Sequence, residues 1–283
     1  MNYYTIKVDD TIDITDISLL AKDFISNPVS LELADTDYLY VGYYKKFKQF
    51  YVELDPVNTE SNELGMEYWN GTSWAALVAV DETLGFTKSG FIYFDRPTDW
   101  EEADVDGDTR FYIRLQPSVS HSVGTILQGL GVLFSNDLDL IGIRSNIVSK
   151  HNNGDSWIGK HEAARKLIIQ KIRNGGKIKV NEKNQQNDPL LTGNDIYYSD
   201  ITEFDLHEPF ELREASKFYA LSLIYLDELS DEEDDKWQLA GKRHEARADE
   251  AVQLFMLKLD TNDDGEENEN ESEGSTDVSL TWA

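Results

Sequence analysis

At about residue 150 the spacing of apolar side chains changes from alternate positions to every third or fourth, so the chain must pass there from strands to helices. Upstream, runs of Tyr, Phe, Val and Ile are separated by Gly, Asn, Asp and Pro. The runs are Val29–Leu33, Tyr38–Tyr44, Phe50–Leu54, Met66–Trp69, Trp74–Val80, Phe91–Asp95, Phe111–Gln116 and Thr125–Phe134. Phe111-Tyr112-Ile113-Arg114-Leu115 alternates as a strand with one buried face does. Asn70-Gly71 and Asp106-Gly107 suit the left-handed positions of tight hairpins. Many short strands at even spacing predict an antiparallel, jelly-roll-like β-sandwich over residues 1–150. One helical turn is expected at Ile17–Phe24, with Asp16 capping it.

Downstream, polar residues 150–156 with Asn-Asn-Gly read as a linker. Ala164, Leu167, Ile168 and Ile172 then share one helix face, and Asn174-Gly175-Gly176 ends that helix. Residues 177–199 read as a long polar loop. A second helix is expected from Glu208-Pro209 towards Leu229, and Ser230 with Glu233 matches a capping box for a third running to about Leu259. The short gap between these two helices predicts an antiparallel hairpin. The fold class is therefore α+β in two domains: a sandwich at 1–150, a helical bundle or hairpin at 151–265, and a disordered acidic tail at 266–283.

The formal charge of −28 argues against nucleic acid as the main partner, because phosphate binding needs a cationic surface. Residues 158–183 run the other way, with eight Lys or Arg against two Glu. Lys160, Arg165, Lys166, Lys171, Arg173 and Lys177 in this stretch form a candidate docking surface for an acidic neighbour. There is no cysteine, which excludes disulfides, thiolate metal sites and cysteine nucleophiles. No run approaches the length of apolar sequence that spans a bilayer. Met1-Asn2-Tyr3-Tyr4 lacks a basic segment before an apolar run, so synthesis and assembly in a cytoplasm are expected.

Asp260, Asn262, Asp264, Gly265, Asn268 and Glu271 follow the ligand and turn spacing of an EF-hand loop, with Asp260, Asn262, Asp264 and Glu271 as the candidate ligands of a structural calcium ion. Glu267 stands where an aliphatic residue usually pins such a loop, and the competing reading is an acidic tail after a helix stop. Tyr68–Trp74 reads either as an aromatic platform for sugar rings or as cross-strand packing. Asp104, Asp106 and Asp108 read as a cation site or as a solvated hairpin turn, and Asp231–Asp235 as carboxylates on a helix N-terminus. The five histidines show no helical i, i+4 pair; His161 and His244 fall on helices, partly exposed. No phosphate loop or nucleophile elbow appears, so no catalysis is expected.

Tyr38–Gly42, Phe47, Tyr51–Leu54, Glu67–Trp74, Phe91–Pro97 with Trp100, and Arg110–Leu115 resemble the β-sandwich segments of tailed-bacteriophage structural proteins. Ile158–Arg173, Asp200–Ala215, Phe218–Leu229 and Asp234–Leu259 with Asp260–Gly265 resemble phage head–tail adaptor (head-completion) proteins. The resemblance implies a virion protein, assembled in the host cytoplasm, that forms a ring of identical subunits, usually twelve, at the head–tail interface. Its partners would be the portal protein, met by the helical part, and a tail terminator, neck or fibre protein, met by the sandwich. DNA would pass the acidic lumen without specific binding. The sandwich departs from plain adaptors and leaves two alternatives: a baseplate or tail-fibre attachment protein, and a glycan-binding module.

Overall fold

The computed structural model describes residues 3–22, 24, 28–150, 156–175, 202–204, 206, 209–229 and 235–255. The chain is α+β and divides into two compact units, one ending at Asn136 and the next beginning at Asp137. The division precedes the change of period near residue 150, because Asp137–Ile143 is itself a helix and groups with the helices that follow. The expected tail at 266–283, the loop at 177–199 and the Ser230/Glu233 capping box lie outside the described residues.

The first unit holds two antiparallel sheets. Its strands are β1 (Thr5–Asp9), β2 (Ile14–Asp16), β3 (Val29–Ser30), β4 (Tyr38–Tyr43), β5 (Gln49–Leu54), β6 (Leu64–Trp69), β7 (Trp74–Ala76), β8 (Ala79–Asp81), β9 (Gly90–Phe94), β10 (Ala103–Val105), β11 (Asp108–Pro117) and β12 (Ile126–Gly131). One sheet runs β2-β1-β4-β11-β6-β7, with β10 paired to β11; the other runs β3-β12-β5-β9-β8. The run expected as a single strand over Trp74–Val80 is two strands, since the chain crosses at Leu77-Val78 from the edge of one sheet to the edge of the other. Strands β1, β2 and β10 lie outside the expected runs because Lys7, Asp9, Asp16 and Asp104 dilute their apolar pattern. A short helix α1 (Ser18–Ala21) sits where one was expected, and the Asp16 carboxylate accepts the Ser18 N–H at 2.8 Å.

Alternation places Leu39, Val41, Ile113 and Leu115 on one face of the larger sheet, all fully buried. Tyr4 ties the sheets together: its ring meets Tyr43 of β4 and Phe50 of β5, and its hydroxyl donates to the Gln49 carbonyl at 2.5 Å. Trp100 is fully buried among Phe47, Phe94 and Phe111 and donates from Nε1 to the Tyr112 carbonyl at 3.1 Å. The opposite face of this sheet carries a second apolar cluster of Tyr40, Tyr112, Ala103 and Val105. Asp106 (φ 50°) and Gly107 (φ 76°) form the tight turn that folds β10 back onto it. Buried Lys7 closes the cluster by donating to the Val105 carbonyl. The Tyr112 ring lies flat on Gly42, where a Cβ would come within 2.2 Å of it.

The second unit contains α2 (Asp137–Ile143), α3 (Ile158–Gly175), α4 (Arg213–Leu223) and α5 (Asp235–Leu254). A tight turn at Pro209–Leu212 leads into α4, close to the expected start, and a wider i→i+5 winding at Ile224–Leu229 leaves it. Helices α4 and α5 are antiparallel, since Leu226 meets Gly241, Phe218 meets His244 and Tyr219 meets Asp249. Gly241 permits this approach: a Cβ there would stand 2.6 Å from Leu226 Cγ.

The two glycines give a crossed prediction. Gly241→Val should weaken the helical unit by about 1–3 kcal/mol through overpacking, read as an earlier far-ultraviolet circular dichroism transition in urea. Gly42→Val should weaken the two-sheet unit by a similar amount, roughly 1–3 kcal/mol, read in the near-ultraviolet aromatic signal.

Candidate functional site

Ion pairs link the segments of the helical unit around a buried core that includes Ile168, Ile172, Leu212 and Ile224. Helix α3 carries the basic stretch, and its cations reach three different segments. Lys160 meets Asp227 at 3.0 Å, Arg165 meets Glu203 at 3.1 Å, and Lys171 meets Asp249 on α5. Asp249 also accepts the Tyr219 hydroxyl. Burial and the neighbouring Asp249 carboxylate push the Tyr219 phenol well above its ordinary range. The carboxylates of α2 are used the same way. Asp137 accepts the Trp157 N–H at the start of α3 and pairs with His161 Nε2 at 3.1 Å, while Asp139 takes Arg213 at 2.8 Å.

An aromatic column runs between α4 and α5. Phe218 and Tyr225 stand seven residues apart, as do Trp237 and His244, so each pair lies on one side of its helical segment. Antiparallel packing interleaves them: Trp237 stacks on Tyr225 at 5.5 Å, Tyr225 on His244 at 5.3 Å, and His244 on Phe218 at 5.8 Å. Guanidinium groups close both ends, Arg144 over Trp237 at 4.8 Å and Arg247 over Phe218 at 5.5 Å. Burial, then Arg247 and Arg144, hold the His244 pKa below its ordinary value. The imidazole therefore stays neutral, with a buried Nδ1 that has no hydrogen-bond partner among the described residues.

Outward from this interior, α2 presents apolar side chains. Leu138 (50% exposed) and Ile141 (38%) share one helix face opposite buried Leu140, and Ile143 (40%) ends the helix. Phe210 (39%) is also exposed, beneath the Arg213 guanidinium that Asp139 holds. No element was expected between Phe134 and the linker at 150–156; the signal for this helix is the Leu138-x-x-Ile141 spacing beside Leu140, which gives seven residues two apolar faces.

Of the six candidate docking cations, Lys160, Arg165 and Lys171 make the pairs above, Lys166 is exposed, Arg173 is half-buried, and Lys177 lies outside the described residues. The candidate calcium ligands Asp260, Asn262, Asp264 and Glu271 also lie outside them. Among the described residues no group of acidic or histidine side chains could hold a metal, and no helix is long and apolar enough to cross a membrane. The Asp104 carboxylate accepts the Gly107 N–H at 2.9 Å, and Asp108 pairs with Arg110 at 3.0 Å. His161, expected to be partly exposed, is buried because Asp137 draws its ring inward. His121 is also buried: its Nδ1 lies 2.8 Å from the Leu31 carbonyl, and burial lowers its pKa.

Trp69 and Trp74 face each other across β6 and β7, edge to face at 5.6 Å. Trp74 also clamps the Arg114 guanidinium against Tyr38, at 4.5 and 4.2 Å, and Glu67 pairs with the same guanidinium at 2.6 Å. Asn70 closes the hairpin, its side-chain oxygen accepting the Thr72 and Ser73 N–H groups. No family model, curated protein or solved structure matches the chain.

Two outcomes are expected. Lys171→Glu should cost the helical unit about 1–2 kcal/mol, since it sets a carboxylate against Asp249 and disturbs the Tyr219 hydrogen bond; the urea midpoint measures it. Both His121 and His244 are depressed in the folded chain, so the unfolded chain takes up protons first as pH falls below the ordinary value of 6.5. This contribution to stability is thus full well above that value and is lost as pH falls through and below it. His244→Phe keeps a ring in the column and should reduce the loss, with thermal unfolding as the measurement.

Proposed function

We propose that the chain is a structural virion protein of a tailed phage, a head-to-tail adaptor that assembles with copies of itself into a ring between the portal and the tail or neck. In this reading the two sheets form a jelly-roll-like sandwich domain and the helices form the adaptor domain. The sequence resemblance supplies the family. The observation that carries the reading is the exposed apolar face of α2 at Leu138 and Ile141, in a unit where Lys160, Arg165, Lys171 and Arg213 are engaged by its own carboxylates.

Apolar area left in water is unfavourable by roughly 25 cal/mol per Å², and a helix with a second apolar face gains by covering it. Apolar contact would supply the affinity, while Lys166 and the acidic surroundings would set register and encounter rate with a charged neighbour. The net charge of −28 suits a conduit, because an acidic wall does not retain phosphate.

Purified chain mixed with isolated portal rings should give stacked rings in negative-stain images and a co-sedimenting complex. Leu138→Asp with Ile141→Asp should abolish that complex while circular dichroism shows an unchanged fold, and Lys166→Glu should weaken it. Wild-type chain that neither forms rings nor sediments with the portal would reject the adaptor reading. Labelled chain found at the tail tip rather than the neck of intact particles would do the same.

A further inference from the structure

The segment Tyr68–Val80 contains no charged residue, in a chain of which 28% is charged. It occupies a particular place. Strand β7 is the edge of one sheet, β8 is the edge of the other, and the two are consecutive in sequence. One side of the unit is therefore a double edge made by a single uncharged strip, on which Val78 is 91% exposed and Val80 49%. Ala76 is exposed as well.

The direction of the backbone groups follows from the ladder. Asn70 N–H donates to the Ser73 carbonyl, and Leu77 N–H to the Met66 carbonyl. Bonded pairs alternate in an antiparallel ladder, so Tyr68 and Ala75 form the bonded pair between them. The N–H and C=O of Trp74 and Ala76 then point away from β6, towards the open side. Such an edge is a template for another strand, and proteins usually blunt it with charge, proline or brevity. The other edges show those devices: β2 carries Asp16 behind Asp10 and Asp13, and β3 is two residues long behind Pro28. The Trp74–Val80 strip carries neither charge nor proline; its two strands are three residues each, but they follow one another without a polar break.

We propose that this edge pairs with the same edge of a second copy of the chain, antiparallel, about a two-fold axis at Ala76. Electrostatics selects the occupant. Two chains of charge −28 repel over most of their surfaces and can approach closely where neither carries charge. The geometry is self-complementary: Ala76 faces its own copy, and Trp74 lies opposite Val78 of the other chain, so the side chain most exposed on the strip meets a large ring. Trp74 is already held in place by Arg114 and Trp69, which leaves little to order on pairing. This contact uses residues of the two-sheet unit alone, apart from the helical surface proposed to meet the portal; being isologous, it pairs two copies and is not the contact that closes a ring.

The native chain has no cysteine, so a single introduced thiol reports the contact cleanly. Facing residues of a bonded antiparallel pair have Cα atoms about 5.5 Å apart, within disulfide reach. Full-length Ala76→Cys, oxidised with copper phenanthroline, should form a covalent dimer in high yield. Val123→Cys, on a side chain 92% exposed, should remain largely monomeric under the same conditions. In sedimentation, Val78→Lys should raise the dimer dissociation constant by roughly tenfold or more while leaving portal co-sedimentation intact. Equal crosslinking of the two cysteine variants, or dissociation unchanged by Val78→Lys, would overturn the proposal. Neither result touches the adaptor reading, whose test uses different residues.

Discussion

The interaction that organises the helical unit is the set of ion pairs that α3 makes with its neighbours. Helices α3, α4 and α5 carry eleven Lys or Arg against six Asp or Glu, and the cations of α3 find their carboxylates on other segments. Lys160, Arg165 and Lys171 each reach a different segment, so α3 acts as an electrostatic spine rather than as a plain amphipathic helix. Individually such pairs are worth about 0–1 kcal/mol when exposed. They fix which segments α3 meets, while the close approach at Gly241 and the aromatic column join α5 to α4 and the turn that leaves it.

The two-sheet unit solves a different problem. Its larger sheet is apolar on both faces, with Leu39, Val41, Ile113 and Leu115 on one side and Tyr40 and Tyr112 on the other. The strand β10 and the Lys7 side chain cover the second face, and Arg114, clamped between Tyr38 and Trp74, seals its margin. The loops are tied by side-chain amides and carboxylates. Asn58 accepts from Glu60 and Ser122 and donates to the Gly85 carbonyl, and Asp81 accepts from Thr83 and Gly85. These ties fix the loops to one another.

Both proposed contacts arise from the same physical situation. A chain this acidic would associate where charge is absent or already matched, and the apolar face of α2 and the uncharged double edge at Trp74–Val80 are places of that kind. One is a helix surface that would be buried by apolar contact; the other is a backbone edge that would be satisfied by hydrogen bonding. Their different chemistry would let them engage different neighbours.

Local letters determined much of this protein. Alternation at Phe111–Leu115, the Asp106-Gly107 turn and the helix entry near Pro209 act over a few residues, where backbone sterics and nearest neighbours decide conformation. Tertiary structure alone decided what those elements meet. Seven apolar letters at Trp74–Val80 became the edges of two sheets, because pairing partners for a strand lie far away in sequence. The basic stretch at 158–183 read as a surface for a neighbour, yet three of its cations turned inward, since a carboxylate partner becomes visible only once the helices are packed. Side-chain type and spacing are properties of the chain, whereas burial, pairing and exposure are properties of contacts between distant residues, and only folding creates those.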